Sequence, residues 1–128
     1  MPIHLEIFHP DRIVVGVARG EITLPEFGGF VRELAQSGVM HYRKILDVTA
    51  ARSSTIGKDE LLAADEQLRQ LTHKGPRGPV AVVADPDRGE LALTFKALTA
   101  SDRPVEVFAS LREARAWLAT FPLTISSV

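Results

Sequence analysis

Cysteine is absent from the chain, which excludes disulfides, thiolate metal sites and thiol nucleophiles together. Long apolar runs are absent too: no stretch approaches the roughly 18 residues that a helix needs to cross a bilayer. Neither sign of charge prevails. Fifteen Lys and Arg face sixteen Asp and Glu, a net charge of -1, so bulk charge does not mark the chain for nucleic acid or an anionic membrane. The opening MPIHLEIFHPDR lacks a basic start, a long apolar run and a small-residue cleavage site. No secretion signal is expected, and the expected location is the cytoplasm. His4, His9, His41 and His73 fall on separate segments without ligand spacing, so no metal site is expected. No serine sits in a nucleophile elbow and no glycine-rich phosphate loop occurs, so no cofactor and no enzymatic activity are expected.

What is present reads as an ordinary folded chain. Its 128 residues are 45% hydrophobic and 24% charged, enough for a single domain over 1–128 with one substantial core. Neither an internal repeat nor a low-complexity segment interrupts it. HKGPRGP, 73–79, is too short for a domain linker and reads as a loop.

The elements follow from periodicity and punctuation. IHLEIF alternates apolar and polar residues as a half-buried strand does. HPDR places Pro10 and Asp11 at the central positions of a type I turn, and IVVGVARG is a second strand, antiparallel to the first. Thr23 and Glu26 have capping-box spacing, Pro25 sits in the first turn, and Phe27, Phe30, Val31 and Leu34 follow at helical spacing. Gly28 and Gly29 either thin that helix for close packing or merely weaken it, and Gly38 stops it. RKILDVT is a third strand. A second helix is expected from about Lys58 to Lys74, with Leu61, Ala64, Leu68 and Leu71 inward. GPVAVVAD is apolar on both faces, as a central parallel strand is. Asp85 and Pro86 open a third helix with Leu91, Phe95 and Leu98 inward. RPVEVF is a fifth strand. Ser110 and Glu113 open a fourth helix that buries Leu111, Ala114 and Leu118, with Trp117 and Phe121 packing at its end. The order β-β-α-β-α-β-α-β-α predicts an α/β domain: a mostly parallel sheet in sequential order, an antiparallel edge strand, and four helices. Sequential right-handed crossovers put the helices predominantly on one face. A partly bare opposite face then predicts a homodimer. Leu46, Val48, Val82, Leu68, Phe95 and Leu118 are the expected core.

Three stretches carry a resemblance to a known family. ARGEIT, 18–23, is similar to the strand end that precedes the first helix of STAS domains, the fold of the bacterial anti-sigma factor antagonists. ILDVTAARSSTIG, 45–57, resembles that family's DLSxVxFxDSSGLG stretch, with matching spacing from Asp47 to the serine pair. VEVFASLREARAWL, 105–118, resembles the closing strand and helix of the small SpoIIAA-like, or STAS/SEC14-like, proteins. The resemblance implies a non-catalytic regulatory module whose partner is an anti-sigma-type kinase or a similar regulator. It also implies that Ser53 is the phosphoacceptor, because phosphorylation at that place breaks the complex in the antagonists. Two positions depart from the pattern: Arg52 stands where the family has an acid, and Thr55 where it has glycine. The expectation is therefore a binding surface with a degenerate or absent phosphoswitch.

The candidate binding edge comprises Asp47, Arg52, Ser54, Thr55, Gly57 and Asp85, around Ser53. Each residue has a plainer reading. The Ser53-Ser54-Thr55 hydroxyls suit helix capping and loop solvation, Asp85 suits an N-cap, and Asp47 suits hydrogen bonds to the following loop amides. Asp47 also stands where a response-regulator phosphoacceptor would. However, the first strand does not end in an acidic pair and the fifth supplies no lysine. An alternative function is binding of a small apolar or lipid-like ligand in the manner of SEC14-like proteins, with Phe27, Phe30 and Phe95 as its lining.

Overall fold

The computed structural model describes residues 3–52, 59, 62, 63, 66, 78–85 and 104–121, with Leu24 and Val31 described in backbone only. Among these residues five strands form one sheet in the order β1-β2-β3-β4-β5. They are β1 (Ile3–Phe8), β2 (Ile13–Glu21), β3 (Arg43–Arg52), β4 (Val80–Val83) and β5 (Val105–Phe108). The β1–β2 pair is antiparallel and every other pair is parallel. This is the mixed, sequentially ordered sheet that the element order predicts.

Local chemistry explains the elements. At the hairpin, Arg12 N–H donates to His9 O at 3.2 Å, which closes the turn with Pro10 and Asp11 central, and Arg12 takes φ 51° to re-enter β2. Helix α1 (Leu24–Gln36) opens on a complete capping box between Thr23 and Glu26. It closes at Ser37, and Gly38 follows at φ 71° in the left-handed region. Helix α2 (Leu111–Leu118) opens on Ser110, whose side chain accepts from Glu113 N–H.

Among the described residues α1 and α2 are the complete helices, against four expected. The third expected helix lies outside the described residues. Of the second, Asp59, Leu62, Ala63 and Glu66 are helical and exposed; they share the i, i+3, i+4, i+7 spacing of one helix face. Its expected inward residues Leu61, Ala64, Leu68 and Leu71, like Phe95, lie outside the described residues.

The register assigns the sheet's two faces. Val14, Gly16 and Ala18 alternate with Ile13, Val15 and Val17, and Gly16 pairs with Leu46 while Val15 pairs with Ile45. On the first face Ile3, Val14 and Ala18 bury against Phe30 and Leu34 of α1, and Val80, Val82, Ala84 and Val105 continue that layer. On the second face Ile45, Ala81 and Val83 bury against Ala114 and Leu118 of α2. The two complete helices described therefore lie on opposite faces, whereas the helices were expected predominantly on one face; the faces of the second and third expected helices lie outside the described residues. Helix α1 is a crossover between the parallel strands β2 and β3, the kind of connection to which the handedness rule applies. Helix α2 follows β5 and joins no two of the described strands, so among the described residues that rule does not set its side.

Two expectations about the core are corrected. Leu46 and Val48 are half-buried rather than buried, on the α1 face. Leu111 is 39% exposed, because the first residue of α2 lies beyond the turn that Ala114 and Leu118 press on the sheet. Val82 and Leu118 are buried as expected.

Candidate functional site

The parallel strands β2 to β5 all end at one edge of the sheet, where open α/β sheets usually bind ligands and partners. Strand β3 overshoots there. Its pairing with β4 stops at Asp47–Val83, yet it stays paired with β2 as far as Glu21–Arg52. A two-stranded ribbon, 18–21 beside 48–52, thus projects beyond the body of the sheet. Its register shifts between Val17 and Arg19, where β3 carries an extra residue; such bulges bend and twist a strand. Ile22 N–H donates to Arg52 O at 2.7 Å, which holds the tip of the ribbon against the start of α1.

Asp47 sits at the branch point, half-buried. Its Oδ1 accepts from Thr49 N–H at 3.0 Å and from Thr49 Oγ1 at 2.7 Å. The carboxylate thus braces the bulge, which is the plainer of the roles its sequence position suggests. Arg52 is exposed at the ribbon tip, directly opposite exposed Glu21. Asp85 is half-buried just past β4, two positions beyond the Val83 that pairs with Asp47. On the same edge, Thr23 N–H and Oγ1 donate to Glu26 Oε1 at 2.9 and 2.8 Å. The backbone bond from Thr23, then its hydroxyl, hold the Glu26 carboxyl below the ordinary carboxylate range.

The sequence matches no family model and no curated protein. Solved structures do match it over most of its length. An uncharacterised DUF3478-family protein from Shewanella loihica, described as having a SpoIIAA-like fold, superposes with a TM-score of 0.61 at 18% identity, covering 91% of each chain. The chain has a SpoIIAA-like fold. An anti-sigma factor antagonist from Mycobacterium paratuberculosis superposes at 0.60 and 17% identity, over 91% of this chain and 92% of the other. The anti-sigma factor antagonist SpoIIAA in its unphosphorylated form superposes at 0.56 and 14% identity, over 93% and 99%.

On this SpoIIAA-like frame, Asp47, Arg52 and Asp85 fall at the carboxyl end of the parallel strands. Ser53, Ser54, Thr55 and Gly57 lie outside the described residues. Phe30 is 9% exposed with its ring over Gly16, and Phe27 packs partly buried beside the same cluster. Both serve the core under α1 rather than a ligand. Among the described residues no His, Cys, Asp and Glu group could hold a metal ion, and no helix is long and apolar enough to cross a membrane.

The opposite edge holds a cluster that the sequence did not reveal. Tyr42 OH lies 2.8 Å from His9 Nδ1, and the His41 ring stands edge-on to Tyr42 with centroids 4.8 Å apart. Beside them the buried Lys44 donates Nζ to Met40 O and Tyr42 O. Burial, then the charges of Lys44 and Arg12, hold His41 below its ordinary pKa. Only the antiparallel hairpin reveals this cluster, because it returns His9 and Arg12 to the end where β3 begins.

Proposed function

We propose that this protein is a regulatory protein-interaction module of the anti-sigma factor antagonist kind, non-catalytic, whose partner docks on the carboxyl edge of the sheet. The observation that carries this reading is the superposition on two anti-sigma factor antagonists over more than nine-tenths of the chain. Support also comes from the ribbon that carries Arg52 to the edge of the fold, exposed and ahead of Ser53. The partner is an anti-sigma-type kinase or a similar regulator, and the phosphoswitch at Ser53 is degenerate. A cation at position 52 pairs with a phosphate on the next residue, masking the charge that a switch needs to repel its partner.

Affinity capture from the source cell, comparing the wild-type chain with Arg52→Glu and Ser53→Asp, tests both parts. The expected outcome is a regulator kinase retained by the wild type, lost with Arg52→Glu, and held nearly as well by Ser53→Asp. Capture that is indifferent to Arg52→Glu removes the carboxyl edge as the docking site. Stoichiometric phosphorylation of Ser53 in the native protein, or loss of the partner with Ser53→Asp, overturns the degenerate switch.

A further inference from the structure

We infer that the outer edge of β1 is a self-association surface: it pairs antiparallel with β1 of a second copy of this chain, about a two-fold axis through Leu5. Strand β1 ends the sheet order, and among the described residues no strand pairs with its outer side. Natural edge strands are usually blunted by proline, lysine, a bulge or shortness. IHLEIF contains no proline or lysine, and its six pairs with β2 run without a register shift.

The sequence of the strand selects the register. A two-fold axis perpendicular to the sheet keeps each face continuous, so alternating positions must meet their own kind. The axis can then pass through His4, Leu5 or Glu6. Through His4 it sets His4 opposite the partner's His4, and through Glu6 it sets Glu6 opposite the partner's Glu6. Like charges directly opposite one another are destabilising, which counts against the axis at Glu6, and neither of these two axes sets an imidazole opposite a carboxylate. Through Leu5 every position finds its complement: Ile3 meets the partner's Ile7, Leu5 meets the partner's Leu5, and His4 meets the partner's Glu6. Each unlike pair occurs twice by symmetry.

The side chains are disposed for this exchange. Ile3 is buried and Leu5 and Ile7 are half-buried on the α1 face, so their apolar row continues across the axis. On the other face His4 Nε2 lies 3.0 Å from Glu6 Oε1 of its own strand, with the two side chains 70% and 54% exposed. Neighbours along one face of a strand are spaced by about 7 Å, whereas directly opposite residues have Cβ atoms about 4.5–5.5 Å apart. By Cβ spacing the partner's carboxylate is also within reach of each imidazole, so the contact within one strand can be exchanged for two contacts across the axis. The contact is isologous and closes at two copies.

Sedimentation of the full chain tests the inference. A concentration-dependent dimer is expected for the wild type. Glu6→Lys places a cation opposite the partner's His4 twice over, and the dimer should weaken by about tenfold in Kd. His4→Glu combined with Glu6→Lys restores opposite charges and should recover the dimer. A wild-type chain that stays monomeric at its highest attainable concentration, or a dimer indifferent to Glu6→Lys, overturns the inference. A second readout is independent of affinity and exploits the lack of native cysteine. Across a two-fold axis at Leu5 the facing Cα atoms lie about 4.5–5.5 Å apart, within disulfide range. Leu5→Cys should therefore cross-link on oxidation while His4→Cys and Glu6→Cys do not. Cross-linking of either flanking variant in preference to Leu5→Cys refutes the register.

Discussion

A missing side chain shapes the core at Gly16. A Cβ there would lie 3.1 Å from Phe30 Cζ and 3.3 Å from Leu46 Cδ1, so glycine opens the slot that the Phe30 ring fills. Gly16→Ala is expected to cost about 1–3 kcal/mol through overpacking, read as a lower denaturant midpoint; an unchanged midpoint means the ring gives way freely. Gly78 is tighter still. Its Cβ would collide with the carbonyl oxygens of Tyr42 and His41, while its N–H donates to Met40 O at 2.8 Å. His41, in the turn that Gly78 abuts, makes stability depend on pH. Because its folded pKa is lowered from 6.5, the unfolded chain takes up the proton first as pH falls. Stability is therefore lost as pH drops from about 6.5 towards the lower folded value, and is unaffected by His41 above that window. His41→Gln should flatten this part of the stability–pH curve; an unaltered slope between pH 7 and 5 would assign the loss to other groups.

Helix α1 carries both a strong start and an avoidable weakness. Thr23→Ala removes the cap and should destabilise by about 1 kcal/mol. Among the described residues, Gly28 and Gly29 have only the flexible end of Arg32 near the place a Cβ would occupy, at 3.5 and 3.9 Å, which favours the reading that they weaken the helix. Gly28→Ala and Gly29→Ala should each stabilise by about 0.5–1 kcal/mol, and a loss in either melt would show that the helix needs that glycine. These features were legible because capping pairs, turn residues and apolar periods act within a few residues. The ends of β3 were not. RKILDVT reads as a strand that stops at Thr49, but pairing with β2 carries it to Arg52 through a bulge, a property of two strands together. Leu111 deceived for a related reason: the helical period marks a stripe, and only the docking of α2 says where along the stripe burial begins. At the candidate edge, Asp47 and Asp85 could be placed because strand ends are local signals. The meeting of His9, His41 and Tyr42 could not, since it depends on hairpin geometry some thirty residues away.

Across the whole molecule, one sheet is shared by two cores of different origin. Among the described residues, one face packs against α1, which joins two parallel strands, and the other against α2, which follows β5. Arg43 ties them from the rim: Nη2 donates to Asp11 O at 2.7 Å and Nη1 to Leu118 O at 3.4 Å, linking the hairpin turn to the end of α2. The strands β3 and β4 give alternate side chains to each core, Ile45 and Ala81 to one, Val80 and Val82 to the other. Damage on either face should therefore unfold both together. The single tryptophan tests this, because Trp117 lies on the α2 face, with its ring 5.6 Å from Phe108 and 4.8 Å from Phe121. Phe30→Ala, on the opposite face, should cost about 3–5 kcal/mol and Leu118→Ala about 2–5 kcal/mol. Both should lower the Trp117 fluorescence midpoint and the far-UV circular dichroism midpoint by the same amount. If Phe30→Ala shifts the dichroism but leaves the Trp117 transition in place, the two faces unfold separately, and α2 is an attachment to the sheet rather than part of its cooperative core.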